Sequence, residues 1–261
     1  RALNRKRMEK KMKMELDQFF KENPKAALAF SGGADSAYLL YAAKQLGADV
    51  QAYYVKSVFQ PKFELEDARR FTELLSVKLR ILEVDVLGNG IIVANPCDRC
   101  YHCKKMIFEV IAKAAAGDGY QVLLDGTNAS DEETDRPGMR ALKELEVRSP
   151  LRECGITKEE IRRLSKEAGL FTWDKPAYAC LATRIPGGEP VTKEKLQAAE
   201  EAEDYLFSLG FTDFRVRRMG EAARLQFPAG QLEKALLWRE KIVAELKKHY
   251  QAVVLDLEAR G

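Results

Sequence analysis

Short apolar runs alternate with helically spaced apolar residues through the first two thirds of the chain. Residues 26–30 form a continuous apolar run typical of a buried strand, and the apolar residues from Ala37 to Leu46 recur at helical spacing. The alternation continues, and it predicts strands at 50–55, 79–84 and 122–125 and helices at 63–75 and 104–116. An N-cap signature at 157–160 predicts a further helix that runs to about residue 168. Strands that alternate with helices predict an α/β fold with a doubly wound parallel sheet.

A second, smaller pattern begins after Thr192. It predicts a helix at 193–209, a helix at 230–250, and strands at 214–219, 222–227 and 253–257. We therefore expect a smaller carboxyl-terminal α+β domain. The chain divides into a basic amphipathic helix (1–22), an α/β domain (23–175), a loop or linker without periodicity that we expect to hold chemistry (176–192) and the α+β domain (193–261).

A glycine-rich loop, Ser31-Gly32-Gly33-Ala34-Asp35-Ser36, lies between the first predicted strand and its helix. Glycines allow backbone angles and close approaches that a Cβ blocks, and the free N–H groups at a helix start attract anions. The loop lacks the Gly-Lys-Ser/Thr of a Walker motif and the Gly-x-Gly-x-x-Gly of a dinucleotide site. It therefore predicts a phosphate-binding loop of another type, with an ordinary glycine-rich turn as the alternative.

Ligands of parallel sheets bind beyond the carboxyl ends of the strands. The second predicted strand ends near Val55, and the fourth runs into residues 125–131. There Gly126 would let the backbone approach a nucleotide, and Asn128 and Asp131 offer polar contacts. A plain strand-ending turn explains Asp-Gly equally well, but its position after the phosphate-binding loop favours the nucleotide.

Length and charge set only broad limits. The 261 residues are 46% hydrophobic, which suffices for one good core and a second small one. The net charge of +3 neither requires nucleic acid nor excludes a local basic patch.

We see no apolar run of membrane-spanning length and no leader, so we expect a cytoplasmic protein. For residues 1–22 we favour a solvated leading helix over a membrane or nucleic-acid contact.

Three of the five cysteines lie within seven residues, Cys97, Cys100 and Cys103. An odd number of cysteines without an export signal disfavours disulfides, so the cluster indicates a metal or a reactive thiol. Cys-x-x-Cys brings two soft thiolates to one iron–sulfur cluster, whereas zinc would need a fourth ligand from His102 or Cys97. We take Cys97 as an extra thiol and Cys154 as buried or idle.

These motifs resemble those of a superfamily of ATP-using enzymes and of one family within it. Ser-Gly-Gly-x-Asp-Ser is similar to the pyrophosphate loop (PP-loop) of ATP pyrophosphatases, which cut ATP between its α and β phosphates and adenylate a substrate. Residues 95–105 and 175–186 are similar to the LarE family of ATP-dependent sulfur transferases. The likeness extends through residues 136–138, 215–217, 223–225 and 255–257, so it covers nearly the whole chain.

The LarE resemblance implies ATP, Mg²⁺ and a two-step reaction in nickel-pincer cofactor synthesis. A carboxylate of pyridinium-3,5-biscarboxylic acid mononucleotide is adenylated, and sulfur then displaces AMP to leave a thiocarboxylate. In one branch a cysteine matched by Cys180 gives up its sulfur and becomes dehydroalanine. In the other, three cysteines matched by Cys100, Cys103 and Cys180 hold a 4Fe-4S cluster with an open iron for the transferred sulfide. We expect the second branch.

The resemblance also assigns residues. Glu203 matches a family carboxylate near the subunit interface, although we expect it on a solvated helix face. Arg215 and Arg217 share one face of a strand and match residues that bind the substrate phosphate. A homo-oligomer is implied. The expected nucleotide site consists of Ser31, Gly32, Gly33, Asp35, Ser36, Val55, Gly126 and Asn128, with Mg²⁺ on Asp35. The expected catalytic residues are Cys180, Asp35 and Lys104. The expected substrate-binding residues are Arg140, Arg184, Arg215 and Arg217.

Two other functions fit part of the sequence. A cluster-dependent tRNA thiolation enzyme shares the PP-loop and sometimes three cluster cysteines, and a basic leading helix would suit it. We do not expect nucleic acid, because no aromatic-and-basic stretch of the RNA-stacking kind is present. The other alternative is a non-catalytic iron–sulfur or nucleotide-binding module.

Overall fold

The computed structural model describes residues 14–131 and 137–260, which form two compact units. The first unit contains residues 14–57, 62–84, 100–131 and 137–175, and the second contains 58–61, 85–99 and 176–260. In this described part of the chain, no helix is both long and apolar enough to cross a membrane.

The helices and strands follow the chain in the order expected of an α/β domain succeeded by a small α+β domain. They are α1 (residues 14–22), β1 (Lys25–Ala29), α2 (Ala34–Gln45), β2 (Asp49–Lys56), α3 (Lys62–Leu74), β3 (Leu79–Glu83), α4 (Gly90–Ala94), α5 (Arg99–Gly117), β4 (Val122–Leu124), α6 (Pro137–Glu144), α7 (Pro150–Glu153), α8 (Lys158–Glu167), α9 (Lys193–Ser208), β5 (Arg215–Met219), β6 (Ala222–Gln226), α10 (Leu232–Leu237), α11 (Arg239–Leu246) and β7 (Ala252–Leu255), with 3₁₀ turns at Val86–Gly88, Leu181–Arg184 and Ala229–Gln231.

The first unit is built on a four-stranded parallel sheet in the order β3-β2-β1-β4. Leu28 of β1 pairs with Ala52 on one side and Leu124 on the other, so β1 is central and its apolar run is buried on both faces. This confirms the predicted α/β fold. Because β2 and β4 flank β1, the loops after β1 and β4 leave the same edge at the topological switch point.

The apolar face of α1 packs on the first unit. Leu16, Phe19 and Phe20 are buried, and the two phenylalanine rings meet edge to face with centroids 5.3 Å apart. Residues 1–13, which carry most of the predicted basic charge, lie outside the described residues. The prediction of an amphipathic helix over 1–22 is thus met in residues 14–22.

One helix start differs from the sequence prediction and another agrees with it. Helix α5 begins at Arg99 rather than at residue 104, so Cys100 and Cys103 lie in its first turns. Helix α8 begins at the predicted N-cap: Thr157 accepts from the Glu160 backbone, and the Glu160 side chain accepts from the Thr157 backbone at 3.0 Å. The start of α8 is therefore fixed locally by sequence.

The second unit contains a three-stranded sheet in which β6 pairs antiparallel with β5 and parallel with β7. Its core contains the phenylalanines Phe211, Phe214 and Phe227, with ring centroids 4.8 to 6.5 Å apart. The single helix predicted at 230–250 is wrong, because Trp238 leaves helical angles and separates α10 from α11. The buried residues Ala235 and Ile242 keep helical spacing across this break, which explains the prediction.

Candidate active site

The glycine-rich loop joins β1 to α2 with two serine hydroxyls facing each other. Ser31 Oγ and Ser36 Oγ lie 3.1 Å apart, and the backbone N–H of Gly33 donates to Ser31 Oγ at 3.3 Å. Gly32 has φ +72°, and a Cβ there would lie 3.1 Å from the carbonyl oxygen of Glu64 in α3. The loop therefore requires glycine at this position and presents hydroxyls and N–H groups at a helix start.

The loop after β4 lies in backbone contact with the glycine-rich loop. A Cβ on Gly126 would be 2.9 Å from the backbone nitrogen of Ser36, closer than two such atoms can approach. Side-chain hydrogen bonds hold this loop: Ser149 Oγ, just before α7, donates to Asp125 at 2.6 Å, and the buried Asn128 accepts from the Ser130 backbone at 2.8 Å. The two loops predicted to face a nucleotide are thus brought together.

A lysine that the sequence analysis did not assign ties these loops together. Lys158 Nζ donates to both carboxylate oxygens of Asp35, at 2.7 and 2.8 Å, and the Lys158 backbone N–H donates to Ser130 Oγ at 3.0 Å. Burial raises the pKa of the Asp35 carboxyl, the nearby Asp131 charge adds to this, and Lys158 opposes it. The only sequence signal was the N-cap that places Lys158 at the start of α8.

A second unassigned lysine holds the glycine-rich loop from the side of α3. Lys175 Nζ donates to the Gly32 carbonyl at 3.2 Å and forms a 2.5 Å ion pair with Asp67. Lys175 belongs to a motif that carries the LarE resemblance, yet its partner Asp67 lies more than 100 residues earlier in the chain. Sequence reasoning had no local signal for this contact.

These residues suit a nucleotide with its metal ion. Gly32 and Gly126 leave backbone space that a Cβ would fill, and Asp35 supplies the carboxylate oxygens that Mg²⁺ prefers. Val55, also predicted to contact the nucleotide, lies near the carboxyl end of β2 and pairs with Leu82 of β3. The predicted residues of this site lie on one sheet edge of the first unit.

Lys104 and Arg140 lie on α5 and α6, which are packed closely enough to require another glycine. A Cβ on Gly138 would lie 2.9 Å from Cδ of Lys104, so the lysine side chain runs directly over α6. Arg140 places its guanidinium 4.0 Å from the centre of the Tyr101 ring and 3.8 Å from Glu144. Arg136, which shares this motif in the sequence, lies outside the described residues.

The cysteines fall in different surroundings. Cys100 is exposed and Cys103 is half-buried, and their i, i+3 spacing places them on one face of α5. Cys154 is buried, and burial raises the pKa of its thiol to about 11. Among the described residues, no three His, Cys, Asp or Glu side chains are gathered to hold a metal ion.

In the second unit, the segment that carries Cys180 is anchored directly after that residue. Leu181 donates to the carbonyl of Phe59 at 2.9 Å, and the buried Arg99 donates to the carbonyl of Ala182 at 3.0 Å. Arg99 also donates to Asn95, whose amide bonds the Pro186 carbonyl at 2.7 Å. The stretch without sequence periodicity is therefore ordered by the Phe59 carbonyl and by side chains of the 85–99 segment.

Arg184 and Glu203 form a buried bidentate ion pair. Arg184 Nε and Nη2 donate to the two Glu203 oxygens at 2.7 and 2.9 Å, and Glu203 also accepts from the Val216 backbone at 2.9 Å and from Tyr178. Both side chains are at most 1% exposed. The expectation of a solvated helix face for Glu203 is wrong, because the partners that bury it come from distant parts of the chain.

Arg215 and Arg217 lie next to this ion pair on alternate positions of β5. Arg217 donates to two uncharged oxygens, Gln226 Oε1 and the Thr183 carbonyl, both at 2.7 Å. Burial, followed by repulsion from Arg184 and Arg260, lowers the pKa of Arg215 to about 10 and also lowers the pKa of Arg217. This cluster of guanidinium groups suits a multiply charged anion.

Three comparisons bear on the family. The family model described as Queuosine biosynthesis protein QueC matches residues 25–95. The chain is 37% identical to an uncharacterised protein of Synechocystis sp. over 93% of this chain and 92% of that protein. It is 33% identical to the pyridinium-3,5-bisthiocarboxylic acid mononucleotide synthase of Lactiplantibacillus plantarum over 91% of this chain and 87% of that enzyme.

A more distant similarity covers part of the chain. The tRNA-specific 2-thiouridylase MnmA 2 of Clostridium botulinum is 27% identical over 57% of this chain and 51% of its own length. The names of the synthase and of the 2-thiouridylase each describe a product that contains sulfur. The chain belongs to the LarE family and is an ATP-dependent sulfur transferase of the PP-loop superfamily.

Proposed function

We propose that this enzyme converts a carboxylate of pyridinium-3,5-biscarboxylic acid mononucleotide to a thiocarboxylate, with sulfur delivered through a 4Fe-4S cluster. The likeness to the Lactiplantibacillus plantarum synthase across nearly the full length of both chains supports the substrate. The observation that carries the proposal is the guanidinium cluster of Arg215 and Arg217 on β5 beside Arg184. Burial first, and then repulsion from Arg184 and Arg260, lowers the pKa of both arginines, and a bound phosphate would balance this repulsion.

The first step is adenylation. A substrate carboxylate oxygen attacks the α-phosphorus of ATP, and the bond to the bridging oxygen of the β-phosphate breaks to release pyrophosphate. Ser31, Ser36 and the N–H groups at the start of α2 would hold the phosphates, and Asp35 would hold Mg²⁺, which would neutralise charge on them. Fixed donors of this kind stabilise the charge that develops in the transition state without reorganising. Lys104 and Arg140 supply further cations for the adenylate or the substrate carboxylate.

The second step is displacement of AMP by sulfur at the activated carbonyl. Cys100, Cys103 and Cys180 are the proposed ligands that would hold the cluster, which would supply the sulfide when bound. The i, i+3 spacing of Cys100 and Cys103 on one face of α5 supports the first two ligands. In this scheme the Arg184–Glu203 pair positions the Cys180 segment rather than contacting substrate.

The experiment uses anaerobically purified enzyme with iron and sulfide analysis of the wild type and of Cys100→Ala, Cys103→Ala and Cys180→Ala. We expect loss of the cluster in each variant and full retention in Cys97→Ala. Pyrophosphate release from ATP should require the pyridinium mononucleotide and should persist in the three cysteine variants. A full cluster in all three would overturn the iron–sulfur assignment, and conversion of wild-type Cys180 to dehydroalanine during turnover would assign the sacrificial route instead.

The partial likeness to a tRNA-specific 2-thiouridylase favours a second candidate, sulfur transfer to tRNA. The same pyrophosphate assay separates the two functions, because tRNA would replace the pyridinium mononucleotide as the required acceptor. Release that depends on tRNA and not on the mononucleotide would assign the tRNA function.

A further inference from the structure

The ion pair between Lys158 and Asp35 differs from the buried Arg184–Glu203 pair in being open to exchange. The Lys158 and Asp35 side chains are 30% and 26% exposed, whereas Arg184 and Glu203 are at most 1% exposed. A partly solvated pair can change partners without opening a core. Asp35 also lies in the PP-loop that is proposed to receive Mg²⁺ and the triphosphate.

The charges around Asp35 explain why a cation sits there in the free enzyme. Asp131 lies near enough to repel the Asp35 carboxylate, and burial adds to the cost of its charge. The Asp131 carboxylate is turned toward its own loop, where it accepts from the Asn128 backbone at 2.9 Å. Lys158 is the ammonium group that neutralises Asp35, with both oxygens in contact.

The backbone of Lys158 is fixed independently of its side chain. Its N–H donates to Ser130 Oγ at 3.0 Å, and the capping box of Thr157 and Glu160 fixes the first turn of α8. The flexible four-carbon stem can therefore move its ammonium group while the backbone stays in place. Any new anionic partner must lie within reach of that stem, near the phosphate-binding loop.

We infer that Lys158 holds the place of the magnesium ion at Asp35 in the free enzyme and moves to the phosphates of ATP when Mg²⁺ takes Asp35. This rests on the proposed binding of Mg²⁺ at Asp35 in the adenylation step. The exchange conserves charge: the carboxylate passes from an ammonium to the metal ion, and the ammonium passes to a phosphate oxygen. Lys158 is thus a further phosphate-binding residue, and its departure couples metal binding to nucleotide binding.

The test measures metal binding without nucleotide, using Mn²⁺ as an electron paramagnetic resonance probe of the Mg²⁺ site. Lys158→Met should bind Mn²⁺ about tenfold more tightly than the wild type, because a competing positive charge is gone. Lys158→Arg keeps the charge and should bind as the wild type does. Lys21→Met, which removes a lysine paired with Asp17 on an exposed helix face, is the matched control and should also leave affinity unchanged.

With α,β-methylene-ATP present the sign should reverse, and Lys158→Met should bind the metal–nucleotide complex about tenfold more weakly. Adding Asp35→Asn to Lys158→Met should abolish the gain in Mn²⁺ affinity without nucleotide. Without nucleotide, unchanged or weaker Mn²⁺ binding by Lys158→Met would overturn the inference. An equal gain in Mn²⁺ affinity in Lys158→Arg would also overturn it.

A second measurement uses the wild-type enzyme and does not depend on how the variants fold. A crystal structure with Mg²⁺ and α,β-methylene-ATP should show Lys158 Nζ bonded to a phosphate oxygen and separated from Asp35. Persistence of the Lys158–Asp35 pair beside bound Mg²⁺ and nucleotide would overturn the inference. These readouts need no sulfur acceptor, so they distinguish failure of this exchange from failure of the proposed sulfur transfer.

Discussion

Glu203 accepts two parallel hydrogen bonds from Arg184, at 2.7 and 2.9 Å, inside the second unit. Glu203→Gln should lower the free energy of unfolding by about 3–5 kcal/mol, because it leaves the Arg184 charge buried without its counter-ion. Urea denaturation measures the change. Glu240→Gln, at an 86% exposed glutamate, is the control and should change stability by less than about 1 kcal/mol. Equal effects of the two substitutions would contradict the prediction.

Gly126→Ala should abolish nucleotide binding, because its Cβ would lie 2.9 Å from the Ser36 nitrogen and force the two loops apart. We expect ATP affinity, measured by calorimetry, to fall by about a hundredfold or more, a loss of about 3 kcal/mol. Gly117→Ala, where a Cβ meets no atom within 4 Å, should bind ATP normally. Wild-type affinity in Gly126→Ala would show that the loops separate without cost.

Arg217→Gln should raise KM for the pyridinium mononucleotide about tenfold to a hundredfold while leaving ATP affinity unchanged, because a charged hydrogen bond to phosphate is lost. Steady-state pyrophosphate release measures KM for each substrate. Arg218→Gln is the neighbouring control on β5, since Arg218 is already paired with Glu189 at 3.0 Å. A larger effect on KM in the Arg218 variant would move the phosphate site to the other face of β5.

Cys154 should make stability depend on pH in the alkaline range. Its pKa is raised to about 11 in the folded chain, so its contribution is fully present below the ordinary thiol pKa of about 8.5 and is lost as pH rises toward 11. Between about pH 9 and 11, the wild type should therefore lose about 1–3 kcal/mol more than Cys154→Ala loses. Urea denaturation across pH measures this difference, and Cys97→Ala should follow the wild type.

Arg99→Met should expose Cys180 to solvent reagents, because Arg99 bonds the Ala182 carbonyl just after that cysteine. Loss of a charged hydrogen bond of about 1.5–3 kcal/mol should speed iodoacetamide labelling of Cys180 in cluster-free enzyme about tenfold or more. Peptide mass spectrometry measures the labelling. Arg239→Met, at an exposed arginine, is the control. An unchanged rate would mean that other contacts hold the segment.

Much of the first unit was available from sequence because its signals are local. The apolar run before Ser31 predicted a buried strand, the glycines after it predicted a turn from strand to helix, and Thr157 predicted the start of α8. Each depends on neighbours within a few residues, through periodicity, glycine freedom or an N-cap. The same locality explains the overextended helix at 230–250, whose apolar spacing continues across Trp238.

The tertiary structure decided which partners the charged groups have. Sequence spacing gave no reason to pair Lys158 with Asp35, Lys175 with Asp67, or Arg184 with Glu203, since the first two pairs join residues more than 100 positions apart. From sequence alone, a charged side chain is predicted to be exposed to solvent. Its burial depends on which other elements of the fold pack around it. Only the folded chain therefore distinguishes the exchangeable ion pair at the PP-loop from the buried pair beside the arginine cluster.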